Sequence, residues 1–268
     1  MALTIKAVAV ALALLLFGSW ERLRSMAGSP LVLRLGAGLR AVHRLARNLT
    51  LFVVNFLLSP LIVLPITAWA EGFDLGLRPA VSTGPAFLPL DILLLDLWVY
   101  WWHRANHEIQ LLWRFHQVHH LDETLDVSSA VRFHLGEVLL SALVRAAVVI
   151  LLDLPLVSVV LFEACVLVSA IFHHSDSRLS PAIERTLARL VVTPSIHWVH
   201  HHAIRADTDS NYGTIFSFWD RLFGSRSATD RWPSMPIGVE GQSDRPIQRL
   251  LLLPFASSSQ AGRPRQSE

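Results

Sequence analysis

Long apolar segments restrict this chain to a helical fold embedded in a membrane. Residues 2–20 are apolar apart from Lys6, and further apolar stretches cover 49–70 and 87–102. A helix needs about 20 consecutive apolar residues to cross a bilayer, so we expect a transmembrane helix in each stretch. The composition agrees, because 52% of the 268 residues are hydrophobic and 16% are charged, whereas soluble domains carry about 25% charged residues.

Two shorter apolar segments, 138–152 and 155–172, meet at Asp153-Leu154-Pro155. Each is short for a perpendicular span, which favours a tilted or re-entrant helical hairpin. The sequence therefore predicts an all-α integral membrane protein with about four transmembrane helices, counting the hairpin, and a histidine-rich helical cap on the cytoplasmic side. The tail after 225 is rich in Ser, Pro, Gly and Arg, and we expect it to be peripheral or disordered.

The basic segment 22–48 sets the expected orientation. It contains six arginines, and cytoplasmic loops carry an excess of Lys and Arg, so this segment should be cytoplasmic. The run 2–20 is then a first transmembrane helix, with a cleavable signal peptide as the alternative. Following the spans along the chain brings 103–120 and 197–201 to the same cytoplasmic face.

Eight of the 13 histidines fall into three short clusters. The first reads H-x-x-x-H, and the other two both read H-x-x-H-H. Residues three or four apart share one face of a helix, and neutral imidazole is the commonest metal ligand near neutral pH. Eight imidazoles exceed the needs of one four-coordinate ion, so the pattern predicts a site for two metals. The clustered residues are His103, His107, His116, His119, His120, His197, His200 and His201.

Residues outside the histidine clusters exclude several kinds of metal site. Asp96 lies on the same helical stripe as His103 and His107, and we expect its carboxylate to accept the outer N–H of a ligating imidazole. Arg104 stands where the H-E-x-x-H motif of zinc proteases has its glutamate, which excludes that motif. Cys165 is the only cysteine, so a disulfide or a cysteine-held iron–sulfur cluster within one chain is excluded. Imidazole alone does not distinguish iron, zinc, copper and nickel.

Six stretches of the chain resemble the fatty acid hydroxylase superfamily, the integral-membrane group that includes sterol desaturases, sterol C4-methyl oxidases and alkylglycerol monooxygenase. The similarity covers about 90–224, in the family's order, and the first 85 residues resemble the family only in being apolar spans. The stretches are DLWVYWWHRANHE (96–108), LWRFHQVHH (112–120), SSAVRFHLGE (128–137), FHHSD (172–176), HWVHH (197–201) and NYGTIFSFWDRLFG (211–224).

The resemblance implies a non-haem di-iron centre that uses O2 and two electrons to oxidise a lipid C–H bond. Two Fe2+ ions would be the cofactors, with zinc as a substitute in purified protein. The eight clustered histidines match the three histidine boxes of the family, and His174 matches a further family histidine. His134 matches the R-F-H-P-x-E of many bacterial members, although Leu135 replaces the proline. Asn211 lies in a closely matching stretch and is expected to help close the site around the metals.

The resemblance also implies a lipid or sterol substrate and a membrane location. The sequence shows no b5-like haem module and no Gly-rich dinucleotide fingerprint, so we expect a separate electron donor, cytochrome b5-like or ferredoxin-like with its reductase. Hydroxylation is favoured over desaturation, and a bacterial inner membrane over the endoplasmic reticulum. The formal net charge of +2 gives no support for nucleic-acid binding. The expected organisation is 1–86 N-terminal helices and loops, 87–224 catalytic domain and 225–268 tail.

Two alternatives belong to other classes of protein. A metal transporter or storage protein would spread ionisable ligands through its spans at the bilayer midplane, whereas these clusters gather beyond the ends of the spans. A structural membrane protein whose histidines sense pH does not explain three repeated boxes. Arg145 and Glu163 lie inside apolar segments and are costly there if unpaired, so we expect them either to pair with each other or to line a substrate tunnel.

Overall fold

The structure is a computed structural model that describes residues 2–26, 38–73, 75, 78 and 84–256. Within these residues the secondary structure is helical, without β-strands, so the predicted all-α class is confirmed. The helices are α1 (Ala2–Leu23), α2 (Leu39–Glu71), α3 (Leu88–Glu108), α4 (Gln110–His120), α5 (Leu135–Leu152), α6 (Leu156–His174), α7 (Pro181–Leu187), α8 (Pro194–His200), α9 (Arg205–Thr208), α10 (Phe218–Leu222) and α11 (Ile247–Leu252).

Within the part of the chain that the structure describes, five helices are long and apolar enough to cross a membrane, judged by length and composition, where we expected about four spans. The predicted hairpin corresponds to α5 and α6, which are joined through Asp153 in the left-handed conformation (φ 47°) and Pro155 before the first turn of α6. Proline suits this position because it has no N–H to leave unpaired at a helix start. The candidate spans are Leu3–Leu23, Arg40–Glu71, Pro85–Glu108, Leu135–Leu152 and Leu156–His174.

The first turns of α2 come from the basic segment that we expected to be a loop. Arg44 explains the difference, because its guanidinium pairs with Asp122 (2.6 Å) and Asp126 (2.8 Å) in the connection after α4. Burial alone would raise the pKa of Asp122, but Arg44 and Arg132 lower it to about 2. The Asp122 carboxylate therefore stays ionised, and its pairing with Arg44 holds the basic end of α2 against the histidine-bearing α4.

The long helices pack in pairs around one apolar core. α1 lies along α6 and α2 lies along α5, while α3 contacts α4, α5 and α6. Leu95, Val149 and Phe162 are buried in the core between α3, α5 and α6. In contrast, Leu15 on α1 and Leu61 on α2 are 69% and 72% exposed. Apolar side chains exposed on long apolar helices are suited to lipid contact.

The region from 225 onward was expected to be peripheral or disordered, and the structure describes it as far as 256. There, the turn Leu253–Phe255 packs against α4, and α11 packs against this turn. Leu250 and Leu253 are buried in one cluster with Trp113 of α4. Residues 257–268 lie outside the described residues.

Replacing Arg132 by methionine is expected to lower the free energy of unfolding by about 3–5 kcal/mol, because it breaks a buried ion pair. Arg132 is fully buried and donates to the Val118 carbonyl (2.8 Å), Asn48 (2.9 Å) and Asp244 (2.5 Å). Methionine would leave these acceptors short of a donor. The measurement is the thermal unfolding midpoint of the protein in detergent.

The matched control is Arg104→Met. Arg104 pairs with Glu108 on the surface of α3, and their side chains are 29% and 53% exposed. Exposed pairs of this kind contribute about 0–1 kcal/mol, so the control should unfold close to the wild-type temperature. Equal midpoints for the two variants would contradict the role given to the buried guanidinium.

Candidate metal centre

Among the described residues, nine histidines in four helices, or directly after one of them, form two groups. Within each group, the ring nitrogens that can bind a metal lie within 4.8 Å of one another. Eight of the nine side chains are buried and His103 is half-buried. The first group contains His103, His107, His116, His120 and His200, and the second contains His119, His174, His197 and His201.

Each H-x-x-H-H box divides its residues between the two groups. On α4, His116 and His120 belong to the first group and His119 to the second. At the end of α8 the arrangement is reversed, because His197 and His201 belong to the second group and His200 to the first. Helix geometry explains this division. Residues i and i+4 differ by only about 40° around the axis, whereas i+3 points about 100° away from i+4.

Among the described residues, five of the nine rings have an outer nitrogen hydrogen-bonded to a carbonyl or a carboxylate, and Nδ1 of His107 lies 3.4 Å from Asp209 Oδ1. These groups only accept hydrogen bonds, so the outer Nδ1 of each ring carries the proton and donates it. In a neutral ring, the inner Nε2 then carries a lone pair. The pairs are His103 with Tyr212 O (2.8 Å), His116 with Glu137 Oε1 (2.8 Å), His119 with Arg132 O (3.2 Å), His174 with Ala170 O (2.8 Å) and His200 with Ser210 O (2.6 Å).

The inner nitrogens face each other. In the first group, Nε2 of His103 lies 3.2 Å from Nε2 of His116. In the second, Nε2 of His119 lies 3.1 Å from Nε2 of His174. Because the outer hydrogen bonds place the proton on Nδ1, neither contact is a hydrogen bond when the rings are neutral, and two lone pairs repel at this distance. A cation between them removes the repulsion, so both groups fit metal binding.

Burial keeps five of the rings in the neutral form that binds metal. Desolvation, followed by the neighbouring imidazoles, lowers the pKa of five histidines in or directly after α4 and α8 well below the usual value. A neutral imidazole is the form that ligates, so these rings need lose no proton at neutral pH to accept an ion. The residues are His119, His120, His197, His200 and His201.

Asp96 does not accept from a ligating histidine, so that prediction is wrong. Its carboxylate accepts from the backbone N–H groups of Ile215 and Phe216 (both 3.1 Å) and from Nε1 of Trp219 (2.9 Å). Asp96 precedes His103 by seven residues, which is about 10 Å along a helix axis. It therefore fixes the segment after α9 to α3 and acts on the histidines only through that segment.

The segment after α9 supplies two of the carbonyls that hold the histidines. Asn211 shapes it with a left-handed backbone (φ 52°), while its side chain donates to the Ile196 carbonyl (3.2 Å) and accepts from the Ser227 N–H (3.1 Å). A Cβ at Gly213 would lie 2.8 Å from Asp220 Oδ2. Only glycine therefore fits there without displacement, which accounts for the Asn-Tyr-Gly string.

His134 lies apart from both groups, although the family motif placed it among the candidate ligands. Its Nδ1 accepts from the Gly136 N–H (2.9 Å) and caps α5, and its Nε2 lies 3.1 Å from the Leu251 carbonyl. Both nitrogens are engaged by the protein, so we do not retain His134 as a ligand. His173, which the sequence reasoning left out, is buried with its ring centroid 3.9 Å from that of His197.

Glu137 is a candidate residue of the metal site that the sequence reasoning missed. It is buried in the first turn of α5 and orients His116 from 21 residues away. Its only signal in the sequence is a carboxylate at the start of an apolar segment, within the string SSAVRFHLGE.

A cavity of about 430 Å³ ends at the histidines. His116, His119 and His174 line one end, and apolar side chains such as Val63 and Phe162 line its walls. This volume lies within the range of sites that bury one small-molecule ligand.

Comparison with known proteins identifies the family. The profile described as Fatty acid hydroxylase matches residues 88–225. Ornithine lipid hydroxylase OlsE from Rhizobium tropici is 30% identical over 191 residues, which cover 67% of this chain and 56% of that protein. Alkylglycerol monooxygenase from Danio rerio is 34% identical, over 51% of this chain and 29% of that protein. Lathosterol oxidase from Homo sapiens is 28% identical, over 57% of this chain and 48% of that protein.

The matches thus span about half or less of the length of these relatives. No solved structure matches the chain. The family match covers the helices and loops that carry all nine grouped histidines. The chain belongs to the fatty acid hydroxylase family.

Proposed function

We propose that this protein is a membrane-bound di-iron oxygenase that hydroxylates a C–H bond of a lipid or sterol. The observation that carries the proposal is the pair of histidine groups, with opposed lone pairs, at the end of an apolar cavity. The overall reaction would be R–H + O2 + 2 e⁻ + 2 H⁺ → R–OH + H2O. The electrons come from a separate donor, cytochrome b5-like or ferredoxin-like with its reductase.

The two groups would hold one iron ion each, with five and four imidazole ligands available. Imidazole nitrogen suits iron, and zinc would bind the same nitrogens. Iron bound there would supply the oxygen-activating redox chemistry. The protein's own part is to orient the rings through their outer hydrogen bonds and to exclude water, because the rings are buried among helices.

The cavity would orient the substrate. Its walls are built mainly from α2, α3, α5 and α6, and its apolar lining suits a hydrocarbon chain or a sterol. Trp98 and Trp102 of α3 stand near the histidine end. Their rings would position the substrate carbon without forming a bond to it. Hydroxylation is proposed over desaturation because relatives carry the names hydroxylase and monooxygenase.

The proposed location is an integral membrane site facing the cytoplasm, in a bacterial inner membrane rather than the endoplasmic reticulum. The contact between Arg44 and Asp122 supports this orientation, because it joins the basic start of α2 to the end of α4, next to His120. The positive-inside rule places basic segments in the cytoplasm, and the histidine groups then lie on that side. Their position near helix ends disfavours the alternative of a transporter, which needs its ligands at midplane.

Comparative lipid analysis tests the proposal. A deletion strain should lack a hydroxylated lipid that the wild type and the complemented strain contain. Growth under 18O2 should add one labelled oxygen atom to that lipid, since the hydroxyl oxygen comes from O2. A product two mass units lighter than its precursor and without label would instead indicate desaturation. Identical lipid profiles in all strains would refute the oxygenase.

A further inference from the structure

Three charged residues from three candidate spans meet on the wall of the cavity. Lys6 of α1 and Arg145 of α5 both pair with Glu163 of α6. The distances are 2.5 Å from Lys6 Nζ to Glu163 Oε2 and 2.8 Å from Arg145 to Glu163 Oε1. All three line the cavity that ends at the histidines. Both roles expected for Arg145 and Glu163, pairing with each other and lining a tunnel, thus hold together. We call these residues the charged triad.

The charged triad has a net charge of +1. Two cations flank one carboxylate, and uncompensated charge inside a bilayer is costly. Arg145 has a side chain that is 9% exposed, and its Nε has no hydrogen-bond partner among the described residues. A guanidinium offers five N–H donors in a fork that matches a carboxylate. The triad is therefore short of one acceptor with a negative charge.

The cavity connects this triad to the histidines through an apolar wall. Glu163 precedes His174 by eleven residues on α6, which is about 16 Å along the axis. Val166, Leu167 and Ala170 line the cavity between them. A ligand that uses both ends therefore needs a polar anionic end and a long apolar part.

We propose that the charged triad is an anion subsite for the carboxylate of a single-chain, long-chain lipid. The carboxylate binds between the Lys6 ammonium and the Arg145 guanidinium, and the chain extends along α6 toward the histidines. A monoanion matches the single excess charge, whereas a phosphate monoester would bring about two. The oxidation of the bound lipid rests on the proposed function, whereas the binding of its carboxylate at the triad does not.

Equilibrium binding to the purified, metal-loaded protein in detergent tests the subsite. The probes are a long-chain carboxylate and its methyl ester, which share the chain and differ in charge. The wild type should bind the carboxylate about 10- to 100-fold more tightly, the range for charge-assisted hydrogen bonds. Lys6→Gln and Arg145→Gln should lose this preference and keep the affinity for the ester. Lys6→Arg should retain the preference.

Arg104→Gln is the control, because it removes a cation outside the cavity. Equal affinities of the wild type for both probes, or an equal loss of both in the triad variants, would overturn the subsite. If Arg145→Gln fails to fold, the Lys6→Gln variant tests the subsite, because the Lys6 side chain is 26% exposed and that of Arg145 is 9% exposed. Selective carboxylate binding without any lipid oxidation would refute the proposed function alone. Oxidation of the long-chain carboxylate with equal efficiency by the wild type, Lys6→Gln and Arg145→Gln would refute the subsite alone.

Discussion

His119→Ala is expected to abolish lipid oxidation and to reduce the metal content from about two ions per chain to about one. His119 belongs to the second group, and its Nε2 faces Nε2 of His174 at 3.1 Å. Its loss leaves that group with three imidazoles and removes the opposed lone pair that a cation would bridge. Even the outer partners of metal ligands are worth about 10–100-fold in activity, so the loss of a ligand should exceed about 100-fold.

The measurements are metal analysis of the purified variant and the yield of hydroxylated lipid in the complemented deletion strain. His43→Ala is the matched control, because His43 lies on α2 with an exposed side chain. It should keep both metals and full activity. A His119→Ala variant that retains two metals and wild-type activity would exclude His119 as a ligand, and a wild type with less than one metal per chain would exclude the two-metal site.

Helical spacing allowed most of the site to be predicted from the sequence. The boxes at 116–120 and 197–201 repeat one spacing, and the number of imidazoles that they supply is enough to indicate two metals. The spacing separates residue i+3 from residues i and i+4, but it did not show that the two sides of each box belong to two different metal groups. That division depends on how α4 and α8 face each other, which is a property of tertiary packing and not of either helix alone.

Asp96 and His134 show where local reasoning fails. Asp96 shares a helical stripe with His103, but a segment more than 100 residues later supplies its partners, Ile215 and Phe216. His134 stands inside a matching motif, yet it begins α5 and its ring caps the helix. In both residues, hydrogen bonds to backbone groups occupy the side-chain atoms that we expected to act at the metal site. Sequence spacing carries no information on such bonds when they come from distant segments.

Glu137→Ala is expected to weaken metal binding at the first group by about 10–100-fold, the usual effect of removing the acceptor behind a ligating histidine. Glu137 is buried and accepts from Nδ1 of His116 at 2.8 Å. Without this carboxylate the ring loses both its orientation and its fixed proton position. The second group should keep its ion, because the acceptors behind His119 and His174 are backbone carbonyls that the substitution does not remove.

Titration with a competing chelator measures this effect. In Glu137→Ala, the ion of the first group should be removed at a lower chelator concentration than the ion of the second group. In the wild type, the two ions should have more similar affinities. The metal affinity of the first group in Glu137→Gln should lie between those of Glu137→Ala and the wild type, because the amide oxygen still accepts a hydrogen bond but carries no charge. Glu108→Ala, which removes an exposed carboxylate from α3, should match the wild type. If both ions of Glu137→Ala were lost at the same chelator concentration, the two histidine groups would form one cooperative site and not two separable ones.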